Sequence, residues 1–188
     1  EVARRNRVKN GIIYLQITRG VARRDHPFPE TTKSALVLTA RQVAKLDKKS
    51  LLKGINVITL PDIRWKRHDI KSVSLLPNVL GKQQAREAGA HEAWLINDDG
   101  LVTEGTSSNA WIVTKDGDLV THNASHAILN GITRLSVLEA AKKAGIKFVE
   151  RPFTVDEALL AKEAFITSSS SHVKAVTNLD GKAISNGH

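Results

Sequence analysis

Lys71, Glu104 and the turn Gly131-Ile132-Thr133-Arg134 are the residues of this chain whose types and spacing could do chemistry together. Lys71 lies in Asp69-Ile70-Lys71-Ser72, and a lysine amine can condense with a carbonyl to give an imine. Thirty-three residues later, Glu104 opens Glu104-Gly105-Thr106-Ser107-Ser108-Asn109, an acid followed by small hydroxylated residues. Gly131 to Arg134 reads as a helix start, where unpaired backbone N–H groups and the helix dipole favour a phosphate. An imine-forming lysine, an acid and an anion-binding helix start are parts that could together hold a phosphorylated carbonyl compound. Their order and spacing carry the case more than any one of them.

The elements that must position these residues follow from periodicity. Ile13, Leu15 and Ile17 alternate with Tyr14, Gln16 and Thr18, which predicts a strand over 11–19 with a chemically capable second face. Residues 19–30 hold two prolines and a run of charges and read as a loop. The apolar runs 34–40 and 55–60 bracket a lysine-rich segment expected to form a short helix. From Leu76 the spacing becomes helical, with Val79, Leu80, Ala85 and Ala88 on one side and Gly89 as the stop. Strands are expected at 93–97 and 101–104 around an Asp98-Asp99-Gly100 turn, and at 109–114 and 119–121 around a second tight turn. A helix over 133–143, with Leu135, Leu138 and Ala141 inward, leads to a strand near 147–150. A helix over 155–161 and strands at 164–167 and 173–178 complete the order. Short hairpins mixed with a few helices predict an α+β architecture, not a doubly wound parallel sheet. Neither a G-x-G-x-x-G nor a Walker loop is present.

The chain has 188 residues, enough for one or two compact units. No run approaches about 18 apolar residues, so no membrane span is expected. No charged-then-apolar leader is legible, and the expected location is cytoplasmic. The absence of cysteine removes disulfides, thiolate metal sites and cysteine nucleophiles, and no metal is expected. With no methionine and Glu1 at its head, the chain is expected to lack its own start. The net charge of +9 is uneven: residues 1–82 carry 18 Lys and Arg against 6 Asp and Glu, and residues 83–188 carry 10 against 13. A basic half can attract nucleic acid or anionic small molecules. Its charges are scattered and only eight aromatics are present, which leaves little for base stacking, so a nucleic-acid partner is not expected.

Four stretches make the sequence resemble the class IV aminotransferases, the fold type IV pyridoxal phosphate enzymes. They are Arg64-Trp65 through Asp69-Ile70-Lys71-Ser72, Glu104 through Asn109, Ile128 through Arg134, and Ala164 through Ser170. The resemblance implies a large cofactor domain over 61–188, with mixed sheets and a barrel-like core. Residues 1–60 would be the remnant of a small N-terminal α/β domain and the interdomain segment, with both ends truncated. It also implies pyridoxal 5'-phosphate as cofactor, amino acid and 2-oxo acid substrates, and a homodimer.

Carried onto this sequence, the resemblance makes Lys71 the residue that binds the cofactor as an imine and then shuttles the substrate α-proton. Glu104 would face the pyridine nitrogen and keep it protonated, making the ring an electron sink. Ser107 and its hydroxylated neighbours would approach the ring, and Leu129 would pack on it. Ile132 and Thr133 would present N–H groups to the phosphate, with Ser169 and Ser170 as a second phosphate-contacting turn. Arg24-Asp25-His26 resembles the Arg-x-His carboxylate trap of the D-amino acid branch, in which Arg24 and His26 clamp the substrate carboxylate and Tyr14 faces the substrate. Leu76 stands where branched-chain aminotransferases usually place a tyrosine. The expected activity is transamination of D-amino acids with a 2-oxo acid such as 2-oxoglutarate. The alternatives are a branched-chain aminotransferase, an aminodeoxychorismate lyase or an (R)-amine transaminase of the same fold, an inactive core fragment, and, in another class, a basic nucleic-acid-binding domain.

Overall fold

A computed structural model describes residues 1–44 and 53–184, so the expected lysine-rich helix lies outside the described residues. The chain forms two compact units, Glu1–Asp47 and Lys48–His188. In the first, a short helix α1 (Val2–Arg5) precedes strands β1 (Gly11–Thr18) and β2 (Ala35–Gln42), which pair antiparallel. The register sets Leu15 opposite Leu38 and Ile17 opposite Leu36, so the alternation read in the sequence becomes one apolar face. Tyr14 and Gln16 share the other face, where the Tyr14 hydroxyl donates to Gln16 Oε1 at 2.8 Å. Asn10 Nδ2 closes the open end of the pair by donating to the Val43 carbonyl at 3.0 Å.

The second unit is built on β3 (Ile55–Pro61), α2 (Leu76–Glu87), β4 (Glu92–Ile96), β5 (Leu101–Gly105), β6 (Asn109–Val113), β7 (Leu119–Thr121), α3 (Ile132–Lys143), β8 (Phe148–Glu150), β9 (Phe153–Thr154), α4 (Val155–Leu159), β10 (Glu163–Ser168), β11 (His172–Leu179) and β12 (Lys182–Ala183). Its strands join in one curled mixed sheet, in the order β8-β7-β6-β10-β11-β3-β4-β5-β9 with β12 against β11. The pairs β11–β3, β3–β4 and β7–β8 are parallel and the others antiparallel. This is the α+β architecture expected. β3, which a division after residue 60 assigns to the first segment, pairs with β4 and β11 inside the second unit.

The concave side of the sheet closes on Val57, Trp94, Val102, Ile112, Phe153 and Ile166, with Trp94 and Phe153 edge to face at 5.7 Å. Period-two alternation along β6 turns Ala110 and Ile112 to this core and Trp111 to the other side. There Trp111 stacks on Phe165 at 5.4 Å and packs with Leu119 and Ala141 under α3.

The two long helices keep part of the expected inward faces, Ala85, Leu138 and Ala141, and correct the rest. On α2 the buried residues are Gly81 and Ala85, while Val79, Leu80 and Ala88 are exposed. The reason is close approach: a Cβ on Gly81 would lie 3.0 Å from Thr106 Cγ2 and 3.6 Å from Leu60 Cδ1, so the smallest side chain sets how near the helix comes to the sheet. Asn78 Nδ2 fixes that approach by donating to the Thr106 carbonyl at 2.8 Å. On α3 Leu135 is exposed, and Arg134 and Ala141 are buried. Among the described residues no helix is long and apolar enough to cross a membrane.

Candidate active site

The segment between β3 and α2 carries Asp62, Arg64, His68 and Lys71 and is tied down at two points. Arg64 grips Asp62 with two parallel bonds, Nε to Oδ1 at 2.9 Å and Nη2 to Oδ2 at 2.7 Å, and reaches Glu104 Oε1 with Nη1 at 2.5 Å. Such forked, charge-assisted contacts are the strong class of hydrogen bond. Thr103 Oγ1 adds a donor to Asp62 Oδ2 at 2.8 Å. Further along, the His68 N–H donates to the His126 carbonyl at 2.9 Å, and its ring Nδ1 lies 2.8 Å from the Ala127 carbonyl. A carbonyl only accepts, so Nδ1 donates there, and the buried Nε2 has no hydrogen-bond partner among the described residues. Lys71 follows three residues later and is exposed, as is the adjoining Ile70.

Glu104 is the penultimate residue of β5 and is 5% exposed. Its Oε2 accepts from Asn109 Nδ2 and from the Leu129 N–H, both at 3.0 Å. The same Asn109 amide also donates to the Leu129 carbonyl at 2.8 Å. Asn109 therefore bridges the acid to the segment that opens α3. Gly131 is the N-cap of that helix, with extended backbone and no side-chain cap bond. A Cβ there would stand 2.5 Å from Asn109 Oδ1, so glycine is what lets the turn lie against the asparagine. Ile132 and Thr133 form the first turn, with their backbone N–H groups at the positive end of the helix dipole. Behind it, buried Arg134 bonds Asn130 Oδ1 at 2.9 Å, the His122 carbonyl at 2.8 Å and the Glu150 carboxylate.

The fourth sequence stretch reaches the same place through the sheet. β10 pairs with β6 so that Thr167 stands opposite Asn109, and Trp111 Nε1 donates to Thr167 Oγ1 at 2.9 Å. Ser169 and Ser170 are exposed in the turn that follows, where Ser168 Oγ accepts from the Ser171 N–H at 3.0 Å. All four stretches thus meet around Glu104 and Asn109.

Glu92 was not singled out by the sequence, yet it organises the turn after Glu104. It is 1% exposed; its Oε2 accepts from Ser107 Oγ at 2.9 Å and Ser108 Oγ at 3.0 Å, and its Oε1 accepts from Thr106 Oγ1 and the Ala93 N–H. Lys82 Nζ on α2 lies 3.3 Å from Oε1. The three hydroxyls of the Thr106-Ser107-Ser108 turn are therefore committed to Glu92. Burial alone would raise the Glu92 carboxyl, but Lys82 and the Thr106 and Ser107 hydroxyls outweigh it and hold the group below its usual range. Asp62 is likewise lowered, burial being outweighed by Arg64 and Thr103. Glu104 goes the other way: burial raises it to about 7 against the pull of Arg64 and the Leu129 N–H.

In the first unit, Arg24 and His26 are exposed in the segment between β1 and β2, with the His26 N–H donating to Asp25 Oδ1 at 2.7 Å. Arg19 in the same segment sits over the Phe28 ring at 4.2 Å. Among the described residues no group of three or more His, Asp or Glu is placed to hold a metal ion.

The arrangement joins a buried acid to Arg64 and, through Asn109 and Leu129, to the start of α3; Lys71 is exposed on the Arg64 segment and hydrogen-bonds none of these groups among the described residues. Gly131→Ala should push Asn109 off the turn and loosen both bonds to Glu104 Oε2. We expect a loss of about 1–3 kcal/mol in a denaturant unfolding curve. An unchanged curve would show that the turn yields without cost.

Residues 1–179 match the amino-transferase class IV family, and the chain belongs to it. Among curated relatives, it is 44% identical to the D-alanine aminotransferase of Bacillus licheniformis over 182 residues, which cover 97% of this chain and 63% of that protein. The D-alanine aminotransferase of Staphylococcus haemolyticus is 40% identical over 187 residues, covering all of this chain and 66% of that one. The chain thus spans less than two thirds of the length of these relatives. Among solved structures, the branched-chain amino acid aminotransferase of Escherichia coli superposes with a TM-score of 0.84 at 26% identity, covering 99% of this chain and 63% of that one. A T.th. branched-chain amino acid aminotransferase with pyridoxamine 5'-phosphate gives 0.85 at 28% identity, covering 98% and 62%.

Proposed function

We propose that this chain carries the cofactor-binding part of a pyridoxal phosphate-dependent aminotransferase acting on D-amino acids and a 2-oxo acid such as 2-oxoglutarate. The observation that carries the reading is the meeting of all four sequence stretches on Glu104 and Asn109. Identities of 40–44% with D-alanine aminotransferases, against 26–28% with the two branched-chain enzymes, favour the D-amino acid branch.

The donor set suits a phosphorylated pyridine. An ionised carboxylate offers about four lone pairs, and the bonds to Glu104 take two on Oε2 and one on Oε1. One position on Oε1 remains for a ring N–H. The N–H groups of Ile132 and Thr133, with the exposed Ser169 and Ser170, suit the phosphate. When bound, pyridoxal 5'-phosphate supplies a carbonyl for the substrate amine and a ring that accepts the electrons freed at the α-carbon. Lys71 is the covalent anchor and the group that takes and returns the α-proton. Glu104 holds the proton at the ring nitrogen, Leu129 packs on the ring, and the Ser107 segment lies beside it. Arg24 and His26 grip the substrate carboxylate, with Tyr14 on the substrate side. A homodimer is part of the same reading, resting on the class IV family to which the chain belongs.

Reducing the chain with borohydride in the presence of pyridoxal 5'-phosphate, followed by peptide mapping, tests the anchor. The pyridoxyl group should map to Lys71; label on another lysine overturns the assignment. The branch is tested by amino-group transfer from D-alanine, L-leucine and (R)-1-phenylethylamine, with D-alanine expected to be fastest. Arg24→Ala removes a charged partner of the carboxylate, worth about 1.5–3 kcal/mol, or roughly ten- to a hundredfold in apparent affinity for D-alanine. Faster transfer from L-leucine would move the chain to another branch, and equal D-alanine rates at sub-saturating substrate would remove Arg24 from the substrate site.

A further inference from the structure

Arg64 stands between two carboxylates that it cannot neutralise together. Its side chain is 6% exposed, and those of Asp62 and Glu104 are 4% and 7%. Two of its nitrogens are spent on Asp62 and one on Glu104 Oε1. Asp62 is pinned by Thr103 Oγ1, which also donates to it, so the three charges are held in fixed order with one negative charge in excess. No other charged side chain hydrogen-bonds Glu104 among the described residues; its remaining partners are the neutral Asn109 amide and the Leu129 N–H.

All three bonds to Glu104 come from donors, and this decides what its open position can do. While Glu104 is a carboxylate, the free lone pair on Oε1 accepts a hydrogen bond. Once Glu104 is protonated, three of its four positions face donors, and the new O–H can point only to the fourth. It would then donate there, and a ring nitrogen placed against it would be left without its proton. Burial favours the protonated form and Arg64 opposes it, with Asp62 partly cancelling Arg64.

We propose that Arg64 is a positioning residue that acts through Glu104: it keeps Glu104 a carboxylate with one Oε1 lone pair open to the N–H of a heteroaromatic ring, and Asp62 sets how much of its charge reaches Glu104. This rests on the reading of Glu104 as the ring-nitrogen partner. It adds a control point one residue removed from the ring-nitrogen partner, since the side-chain bonds of Arg64 go to Asp62, Thr103 and Glu104.

The test begins without cofactor. In the chain labelled with carbon-13 at the glutamate carboxyl, the Glu104 signal is identified by its loss in Glu104→Gln and followed against pH. Arg64→Met should raise its midpoint by about 1–3 pH units, the range for loss of an adjacent opposite charge. Asp62→Asn should lower the midpoint, because it frees Arg64 for Glu104. Arg64→Lys, which keeps the charge, should stay nearer to wild type than Arg64→Met. Shifts of opposite sign from two neighbours in one cluster are not what general loosening produces. Should Arg64→Met fail to fold, Asp62→Asn decides alone, and a midpoint that stays or rises overturns the proposal. Pyridoxal 5'-phosphate labelled with nitrogen-15 in the ring is then added near pH 8, above the wild-type Glu104 midpoint of about 7. Its nitrogen should be protonated in wild type and unprotonated in Arg64→Met. Carboxyl midpoints that move as expected beside a ring signal indifferent to both Arg64→Met and Glu104→Gln would overturn the ring role of Glu104 and this use of its lone pair. Unmoved midpoints would overturn the role of Arg64 itself.

Discussion

Lys71→Ala should abolish measurable amino-group transfer while leaving the fold intact. The proposed roles of Lys71 are covalent anchor and proton carrier, and removal of a positioned acid–base group alone typically slows a reaction by about 10²–10⁴-fold. Losing the anchor adds to this, because each cycle would begin and end without a lysine to displace. The structural cost should be small: Lys71 is exposed in an irregular segment, and surface substitutions of this kind usually change stability by no more than about 0.5 kcal/mol. The measurement pairs single-turnover transfer from D-alanine with a denaturant unfolding curve. Loss of activity with an unchanged curve assigns Lys71 to the chemistry. A variant retaining a tenth of wild-type turnover would show that another amine does this work.

The contrast between Lys71 and Arg64 shows what a linear sequence can and cannot display. Lys71 is legible because its role depends on residue type within a motif. Arg64 lies in the same stretch, but its partners Asp62, Thr103 and Glu104 come together only when β3 and β5 flank β4 in the sheet. Glu92 is hidden for a related reason. A glutamate at the head of an apolar strand reads as solvent-facing, and only the return of the chain through Thr106 to Ser108 gives its carboxylate the donors that permit burial.

Strands and hairpin turns were readable because period-two alternation and Asp-Gly chemistry act locally: Ile13, Leu15 and Ile17 share a face, and the turn at Gly100 follows Asp98-Asp99. The inward faces of the helices were readable only in part: Ala85 and Ala141 are buried as their spacing predicts, whereas Val79, Leu80 and Leu135 are exposed. Hydrophobic spacing favoured Val79 and Leu80, but backbone proximity selects small side chains, and Gly81 carries no hydrophobic signal of its own. Arg134 escaped for the opposite reason, since a charged residue enters a core only with partners, and Asn130, His122 and Glu150 lie 4 to 16 positions away along the chain.

Glu104→Gln should separate the electronic role of this residue from its structural one. The amide is isosteric but neutral, and it has one oxygen where the carboxylate has two. If that oxygen takes the Oε2 place to serve Asn109 and Leu129, the NH₂ group faces Arg64 and the open position; the reverse orientation strands two donors instead. Either way the site no longer holds a charge against the ring nitrogen. Arg64 keeps its forked pair with Asp62, so the variant is not left with an uncompensated buried cation. Removal of one preorganised electrostatic partner typically costs on the order of 10²–10³ in rate, and we expect α-proton removal in single-turnover kinetics to slow by that much while pyridoxal 5'-phosphate stays bound. The cofactor-free chain supplies a second readout. Burial raises Glu104 from its usual 4.5 to about 7, so the folded chain holds this proton more tightly than the unfolded one. Its contribution to stability is therefore full below about pH 4.5 and is lost as the pH rises to about 7, a change on the order of 3 kcal/mol. Glutamine does not titrate, so the difference in unfolding free energy between wild type and Glu104→Gln should tilt against wild type across that window and level off above it. A flat difference would mean that Glu104 ionises in the folded chain as it does in water, and an unchanged proton-removal rate would place the ring nitrogen elsewhere.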